Sequence, residues 1–505
     1  MISFANLSRR GRTLRSVTLS ASEFHSYYKP SPCELRVFLL AHGAVGAPAG
    51  PYAEVVRQLG AQHEAKHLGQ LGPYLDLRPG QALEREERTR RAIDEGIGII
   101  YHPRLRAAAP LNGGAIDVVG EPDYLIRVDG GYAIRDSKVA RRINEDDHPE
   151  ILRQVETYGW LYERAAGRPP AQLQVHAGTD EIIDVPYDGG KRALALIEQI
   201  AGWQTMPNEP YRAVSWSGCG PCGFNDRCVS DAADRRDPAL IPDVDKNLAM
   251  QLHQDGVKSW DELRTRYDEP TLAELRRPWG KGMQRVGKKA GRILISAEAL
   301  AEDKAIWLAA PALPAARDWV MFDLEGFPPQ LDEDQKIFVW GLQVFGDHPG
   351  QYSASVPGFE ADGDEMAWRG FLRDAANVFR QHGDIPFVHW AHYERDRLAK
   401  YIDRYGDLDG VGARVMTNLL DLLPVVRDAV ALPLPSYSLK VVEQYVGYER
   451  SQVEYGGEWA MATYFQAMKL ADRSAATVLV DEVLKYNRED LEATWAVFRW
   501  LLAGP

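Results

Sequence analysis

Apolar and polar positions along this chain follow two periods, and the changes between them mark its parts. In "YLIRV" (124–128) and "YAIRDSKV" (132–139) the period is two, as in half-buried strands. The "DGG" between them is a hairpin turn signal. In "HPEILRQVETYGWLYER" (148–164) and "LGAQHEAKHL" (59–68) the spacing is helical. Residues 1–230 thus mix both patterns. "LAMQLHQDGVKSWDELRTRY" (248–267) and "AGRILISAEALAEDKAIWLAA" (290–310) predict a mostly helical, polar stretch over 231–316. The Pro/Ala-rich "PALPAARD" (311–318) reads as a linker. "WVMFDLEGF" (319–327) then opens a third region as an apolar strand. "FVHWAHYERDRLAKY" (387–401) reads as a strand running into a helix, and "VLKYNREDLEATWAVFRWL" (483–501) as a strong amphipathic helix. We find no internal repeat. The expected class is α/β, with boundaries at 1–230, 231–316 and 317–505.

Length agrees with several domains, since 505 residues exceed one ordinary domain. Hydrophobic residues make up 45% and charged residues 26%, an ordinary globular balance. No run of about 18 apolar residues predicts a membrane span. The N-terminus has no apolar core of a secretory signal, so a cytoplasmic location is expected. The net charge of −13 argues against a nucleic-acid binder, yet it is unevenly spread. "RRGRTLR" (9–15) and "RRPWGKGMQRVGKKAGR" (276–292) are basic, and either run also reads as a solvated surface. Acids that ligate metal add to the negative count without repelling phosphate once the metal is bound.

Candidate chemistry starts at the hairpin. If Asp129-Gly130 forms a two-residue loop, cross-strand partners sum to 259 and Asp123 faces Asp136. Opposed carboxylates repel unless a cation lies between them. Asp136 and Lys138 share one face of their strand. Such oxygens suit Mg²⁺ or Mn²⁺, and a lysine beside them can stabilise an attacking hydroxide or charge developing on phosphorus. A three-residue loop would shift this register, and a surface ion pair is the plain alternative. On the helix at 148–164, Gln154 and Tyr158 stand at i and i+4.

A second set lies downstream. Asp323 and Glu325 sit at i and i+2 on an apolar strand, where burial is costly without metal or hydrogen bonds. Glu394 stands where a strand passes into a helix, and Tyr486 and Asp490 share one face of the last amphipathic helix. Acids in such places can converge on two Mg²⁺ ions. Asp421 could join them or simply start a helix. Cysteines are sparse: Cys219, Cys222 and Cys228 lie within ten residues, and Cys33 lies far upstream. Four thiolates suit zinc or an iron–sulfur cluster.

Residues 15–230 resemble the RecB-like branch of the PD-(D/E)XK nucleases. The ordered matches are Gly60 with His63, Gly120 with Asp123, Asp136 with Lys138, and Gln154 with Tyr158. The resemblance implies a restriction-endonuclease-like fold. His63, Asp123 and Asp136 would hold Mg²⁺ or Mn²⁺, assisted by the Ser137 carbonyl. Lys138 would be catalytic, and Gln154 and Tyr158 would contact nucleic acid. The one-plus-three cysteines resemble the cluster-bearing members, the Cas-four and AddB types. That implies a structural 4Fe–4S cluster on Cys33, Cys219, Cys222 and Cys228. Glu64, beside His63, reads as a surface residue.

Residues 317–503 resemble the DEDD exonucleases of the RNase H-like superfamily. Asp323, Glu325 and Asp490 match metal ligands, and Tyr486 matches the residue that orients the attacking water. The second motif departs, with His389-x-x-x-Tyr393-Glu394 where the family has Asn-x-x-x-Phe-Asp. "GMQRVGKKAGRI" (282–293) faintly resembles a helix-hairpin-helix element. Together the modules resemble RecB-like nucleases carrying a C-terminal RNase H-like domain. The expected activity is metal-dependent phosphodiester hydrolysis, with DNA bearing single-stranded regions or free ends as partner. RNA processing, and nucleic-acid binding with one inactive site, are the alternatives. No flavin or nicotinamide fingerprint supports an oxidoreductase.

Overall fold

The computed structural model describes residues 18–111, 114–328, 334–358, 362–452 and 456–504. The basic stretch 9–15 lies outside the described residues. The protein is mixed α/β and divides into two compact units: Met1–Gly46 with Val56–Arg212, and Ala47–Val55 with Ala213–Pro505.

The first unit holds a six-stranded sheet. Its order is Leu75–Asp76, Ile99–Tyr101, Tyr124–Val128, Gly131–Ser137, Gln172–His176 and Ile182–Val185. The turn residues Asp129 and Gly130 join the third and fourth strands. Pairing Tyr124 with Arg135 and Val128 with Gly131 gives the predicted sum of 259. Gly130 has φ +87°, a conformation that costs glycine little. The next pair, Gly131–Ser137 with Gln172–His176, is parallel and so needs a crossover. The helix Pro149–Ala166 supplies it. It is buried over most of its length because its apolar residues, among them Val155, Trp160 and Leu161, face the core of this unit.

The second unit carries a five-stranded sheet in the order Ser353–Ser355, Ile337–Gly346, Asp318–Gly326, Phe387–His389, Leu419–Asp421. The first three strands are antiparallel and the last two join in parallel. Period-two alternation on Asp318–Gly326 separates two cores. Val320, Phe322 and Leu324 pack with the helix Gly363–His382. Trp319 and Met321 pack with the C-terminal helix Arg473–Ala503. Asp323 and Glu325 continue the second series, so they point to the face that Asp490 also reaches.

The predicted helical stretch belongs to this same compact unit. "LAMQLHQDGVKSWDELRTRY" is broken into Lys246–Gln254 and Trp260–Arg266 by Gly256, at φ +82°, and by the Ser259 cap. Leu252, Trp260, Leu263 and Ile293 form its core. Residues 276–285, expected to be part of a helical region, instead form a β-hairpin of Arg276–Trp279 and Gly282–Arg285. Helix resumes at Ala290–Glu302 and stops at Asp303, whose φ is +50°. The strand Ile306–Trp307 then pairs with Val430–Ala431. No helix among the described residues is long and apolar enough to cross a membrane.

Candidate active sites

The hairpin register brings Asp123 and Asp136 together. Asp136 is 2% exposed, and its Oδ2 lies 2.7 Å from Lys138 Nζ. The Asp123 amide donates to Asp136 Oδ1 at 3.4 Å, and the Ser137 amide donates to Asp123 Oδ2 at 2.6 Å. Burial, and then the Asp136 charge, push the Asp123 carboxyl well above the usual range. Burial alone would lower the Lys138 ammonium, but Asp136 and Asp123 outweigh it and hold it up. On the next helix Gln154 Nε2 donates to Tyr158 OH at 2.7 Å, and His25 Nε2 donates to Gln154 Oε1 at 3.1 Å. The His25 imidazole is pushed down by burial and then by Lys138. A Cβ on Gly120 would lie 2.7 Å from both Tyr158 and Leu161, so glycine lets the helix approach the Asp123 strand end.

His63 does not join this group. Its ring stacks on His176, with centroids 4.1 Å apart, and its Nδ1 lies 4.0 Å from Asp180. The donor atoms that do converge with Asp123 belong to Glu64 and His102, all within 4.8 Å. Tyr101 OH and His102 Nε2 lie 2.6 and 2.8 Å from Glu64 Oε1. Burial would raise the Glu64 carboxyl, but these bonds outweigh it and hold it low. The reading of Glu64 as a surface residue is therefore corrected: it is tied into the site. Adjacent helical residues project about 100° apart, so His63 and Glu64 cannot both face Asp123. Nothing in the sequence selects between them, and His102, held at φ +50°, gave no signal.

In the second unit Asp323, Glu325 and Asp490 place carboxylate oxygens within 4.8 Å of one another. Burial raises all three. For Asp323 and Glu325 the Asp490 charge follows, whereas Arg450 partly offsets the shift at Asp490. Asn487 Nδ2 donates to Asp323 Oδ2 at 2.7 Å, and Asn487 Oδ1 accepts from Tyr352 OH at 2.9 Å. Gly341, paired with Asp323, leaves room for this, because a Cβ there would lie 1.8 Å from Asn487 Oδ1. Tyr486 is buried, and burial followed by Asp490 and Glu325 keeps its phenol protonated. Glu394 is 3% exposed and lies 3.1 Å from His389 Nδ1, outside the three-acid group but close enough to raise Asp323 and Glu325. Asp421 caps the helix Leu422–Ala429 through the Leu423 amide.

Sequence reasoning missed Arg450. Its guanidinium binds both Glu443, at 2.5 and 2.7 Å, and Asp490, at 2.5 Å. A protein cation thus already holds one of the three acids. Lys440 Nζ lies 5.2 Å from the Tyr486 ring centroid.

Cys33, Cys219, Cys222 and Cys228 are partly buried and in no disulfide. Cys219 closes the short helix Trp216–Cys219 and its Sγ accepts from the Ser215 amide at 3.3 Å; Cys228 lies on the helix Asn225–Asp234 and packs at the edge of an apolar core. Among the described residues, no group of three or more converging His, Cys, Asp or Glu donors contains a cysteine. The 4Fe–4S cluster on these four thiols stays an expectation of the resemblance.

Residues 320–502 match the RNase H superfamily. The C-terminal region is RNase H-like. That points to a nuclease acting on nucleic acid, and both of its strand acids and Asp490 fall inside the matched segment. No curated protein matches the chain. The solved structure titled "Crystal structure of SSO0001" is 16% identical, covering 43% of this chain and 89% of that chain, with a TM-score of 0.23.

Proposed function

We propose that this protein is a metal-dependent nuclease that hydrolyses phosphodiester bonds of DNA, entering at single-stranded regions or free ends. The observation that carries this reading is the group of Asp323, Glu325 and Asp490 inside an RNase H-like domain. Three acids that repel one another in a partly buried place are a donor set that a hard divalent cation would satisfy, so the residues fit Mg²⁺ or Mn²⁺. Asp123, with Glu64 and His102 converging and Asp136 adjacent, fits in the same way. A divalent cation held at either place would supply Lewis acidity and charge neutralisation to a phosphodiester.

The chain's own groups would do the rest. Lys138, kept protonated, offers a positive charge beside Asp136 for an anionic phosphate. Gln154 and Tyr158 form a rigid pair that can align the strand. Tyr486, kept protonated, can donate to and orient a water near Asp490. We assign 1–230 to a RecB-like PD-(D/E)XK nuclease, 231–316 to a connector and 317–505 to a DEDD-type exonuclease, with a cytoplasmic location.

One observation favours a different reading. Arg450 already neutralises Asp490, as expected of a site retained for binding without cleavage. Cleavage of end-labelled single- and double-stranded DNA and RNA with Mg²⁺ or Mn²⁺ separates these readings. Wild type, Asp136→Ala and Asp323→Ala are compared. We expect Asp136→Ala to abolish the main activity. Wild-type-like cleavage by Asp136→Ala with loss in Asp323→Ala would move the chemistry to the second site. Metal-independent binding without cleavage would support the binding protein, and preference for RNA would replace DNA as substrate.

A further inference from the structure

The hairpin Arg276–Arg285 has a use that neither acid site explains. Its strands pair Trp279 with Gly282 and Pro278 with Met283, leaving Gly280-Lys281 as the loop. Gly280 has φ +56°, as such a tight loop requires. The tip is apolar and open: Trp279 is 52% exposed and Met283 50%. Hairpins usually cover an aromatic residue with a cross-strand partner, yet Trp279 faces a glycine whose Cβ would meet nothing within 4 Å.

One side of the indole is nonetheless prepared. Arg277 is 3% exposed and its guanidinium carbon lies 5.0 Å from the Trp279 ring centroid. Arg277 is held by Asp245 at 2.7 Å and donates to the carbonyls of Gln284 and Arg285 at 3.3 and 3.0 Å. The indole therefore stands on a fixed cation and presents its other face outward.

The surroundings are cationic. Between Glu274 and Glu298 there is no acid, while Lys and Arg recur throughout, in a chain whose net charge is −13. Among the described residues Arg276, Lys281, Lys288 and Lys289 make no ion pair. The strand Gly282–Arg285 leads through Val286 to Lys288 and Lys289, which with Arg292 and Arg427 line a cleft of about 560 Å³. Its two acids are already engaged, Asp243 by Arg427 and Asp428 by Arg292.

We propose that this hairpin is a stacking platform for single-stranded nucleic acid, in which Trp279 takes an unpaired base and the flanking lysines and arginines take the phosphates. A planar apolar surface among cations fits a polymer of flat bases on an anionic backbone. A duplex keeps its base faces stacked inside, so it gains from the charges and not from the indole. The inference rests on the nuclease reading and sharpens its substrate to the unpaired strand.

The test uses the full chain in EDTA, so that cleavage does not interfere. Fluorescence anisotropy measures binding of a labelled oligothymidylate and of a blunt duplex of equal length. We expect Trp279→Ala to weaken single-strand binding about tenfold or more and to leave duplex binding within about twofold. Trp279→Phe should restore most of it. Lys281→Ala should weaken both probes alike and flatten their salt dependence. Unchanged single-strand binding by Trp279→Ala, or an equal loss on both probes, overturns the platform. If wild type still cleaves DNA in that case, the nuclease reading stands alone. A wild-type protein that binds neither probe overturns the platform, and cleavage of end-labelled DNA with Mg²⁺ or Mn²⁺ then decides the nuclease reading separately.

Discussion

The two acid sites solve one problem with different cations. Each gathers carboxylates that repel one another, and each sets a protein cation against one of them. In the first unit the cation is Lys138, two residues along the strand from Asp136. In the other unit it is Arg450, forty residues from Asp490 and shared with Glu443. The lysine is part of the same local pattern as its acid. The arginine is delivered by the fold, and it forms two ion pairs that any arriving cation must compete with. The hairpin site therefore has its charge in place, whereas the RNase H-like site is guarded by its arginine. Supporting glycines differ in a parallel way: Gly120 admits a helix, and Gly341 admits a single side chain.

The largest effects should come from the acids themselves. Asp136→Ala should lower cleavage at the first site about a thousandfold or more, and Asp323→Ala should do the same to any activity of the second, read with end-labelled DNA. Equal small losses in both would erase the distinction between the sites.

Removing the cations should separate them more sharply. Lys138→Ala should lower cleavage strongly while leaving Asp136 repelling Asp123. Arg450→Ala leaves Glu443 and Asp490 buried without their partner, a change that typically costs about 3–5 kcal/mol. Its melting temperature should fall in EDTA and recover with Mn²⁺ by more than the wild type gains. A recovery no larger than wild type would mean that Arg450 does not compete with the metal.

Smaller effects should come from the glycines. Gly120→Ala forces a methyl against Tyr158 and Leu161 and should destabilise the first unit by about 1–3 kcal/mol in denaturant unfolding. Gly341→Ala should displace Asn487 from Asp323 and show as altered Mn²⁺ affinity in calorimetry.

The smallest effect concerns pH. His176 is 1% exposed and stacked between His63 and His67, and burial followed by those rings pushes it down to about 4. A histidine whose folded value lies below its unfolded value of 6.5 binds more protons unfolded than folded in the interval between. Stability is therefore lost as pH falls from 6.5 toward about 4. In chelator, His176→Asn should flatten that part of the stability–pH curve. An unchanged slope would place the acid sensitivity elsewhere.

Much of this arrangement was legible beforehand because it is local. A strand alternates every residue, so Asp136 with Lys138 and Asp323 with Glu325 share faces before any fold is known. The Asp-Gly turn set the pairing of Asp123 with Asp136, and a helical period put Tyr486 and Asp490 together. These features depend on backbone geometry over a few residues, which neighbouring residues determine.

The rest required tertiary structure. Whether His63 or Glu64 turns toward Asp123 depends on how one helix is rotated against a sheet, and both rotations are compatible with the same residues. Arg450 reaches Asp490, and His102 reaches Glu64, only after distant segments pack. The exposure of Trp279 was likewise decided by packing: a basic run was visible in the sequence, but only the hairpin and the buried Arg277 behind it leave one face of that indole open. Local periodicity is a property of the chain; convergence and exposure are properties of the packed molecule.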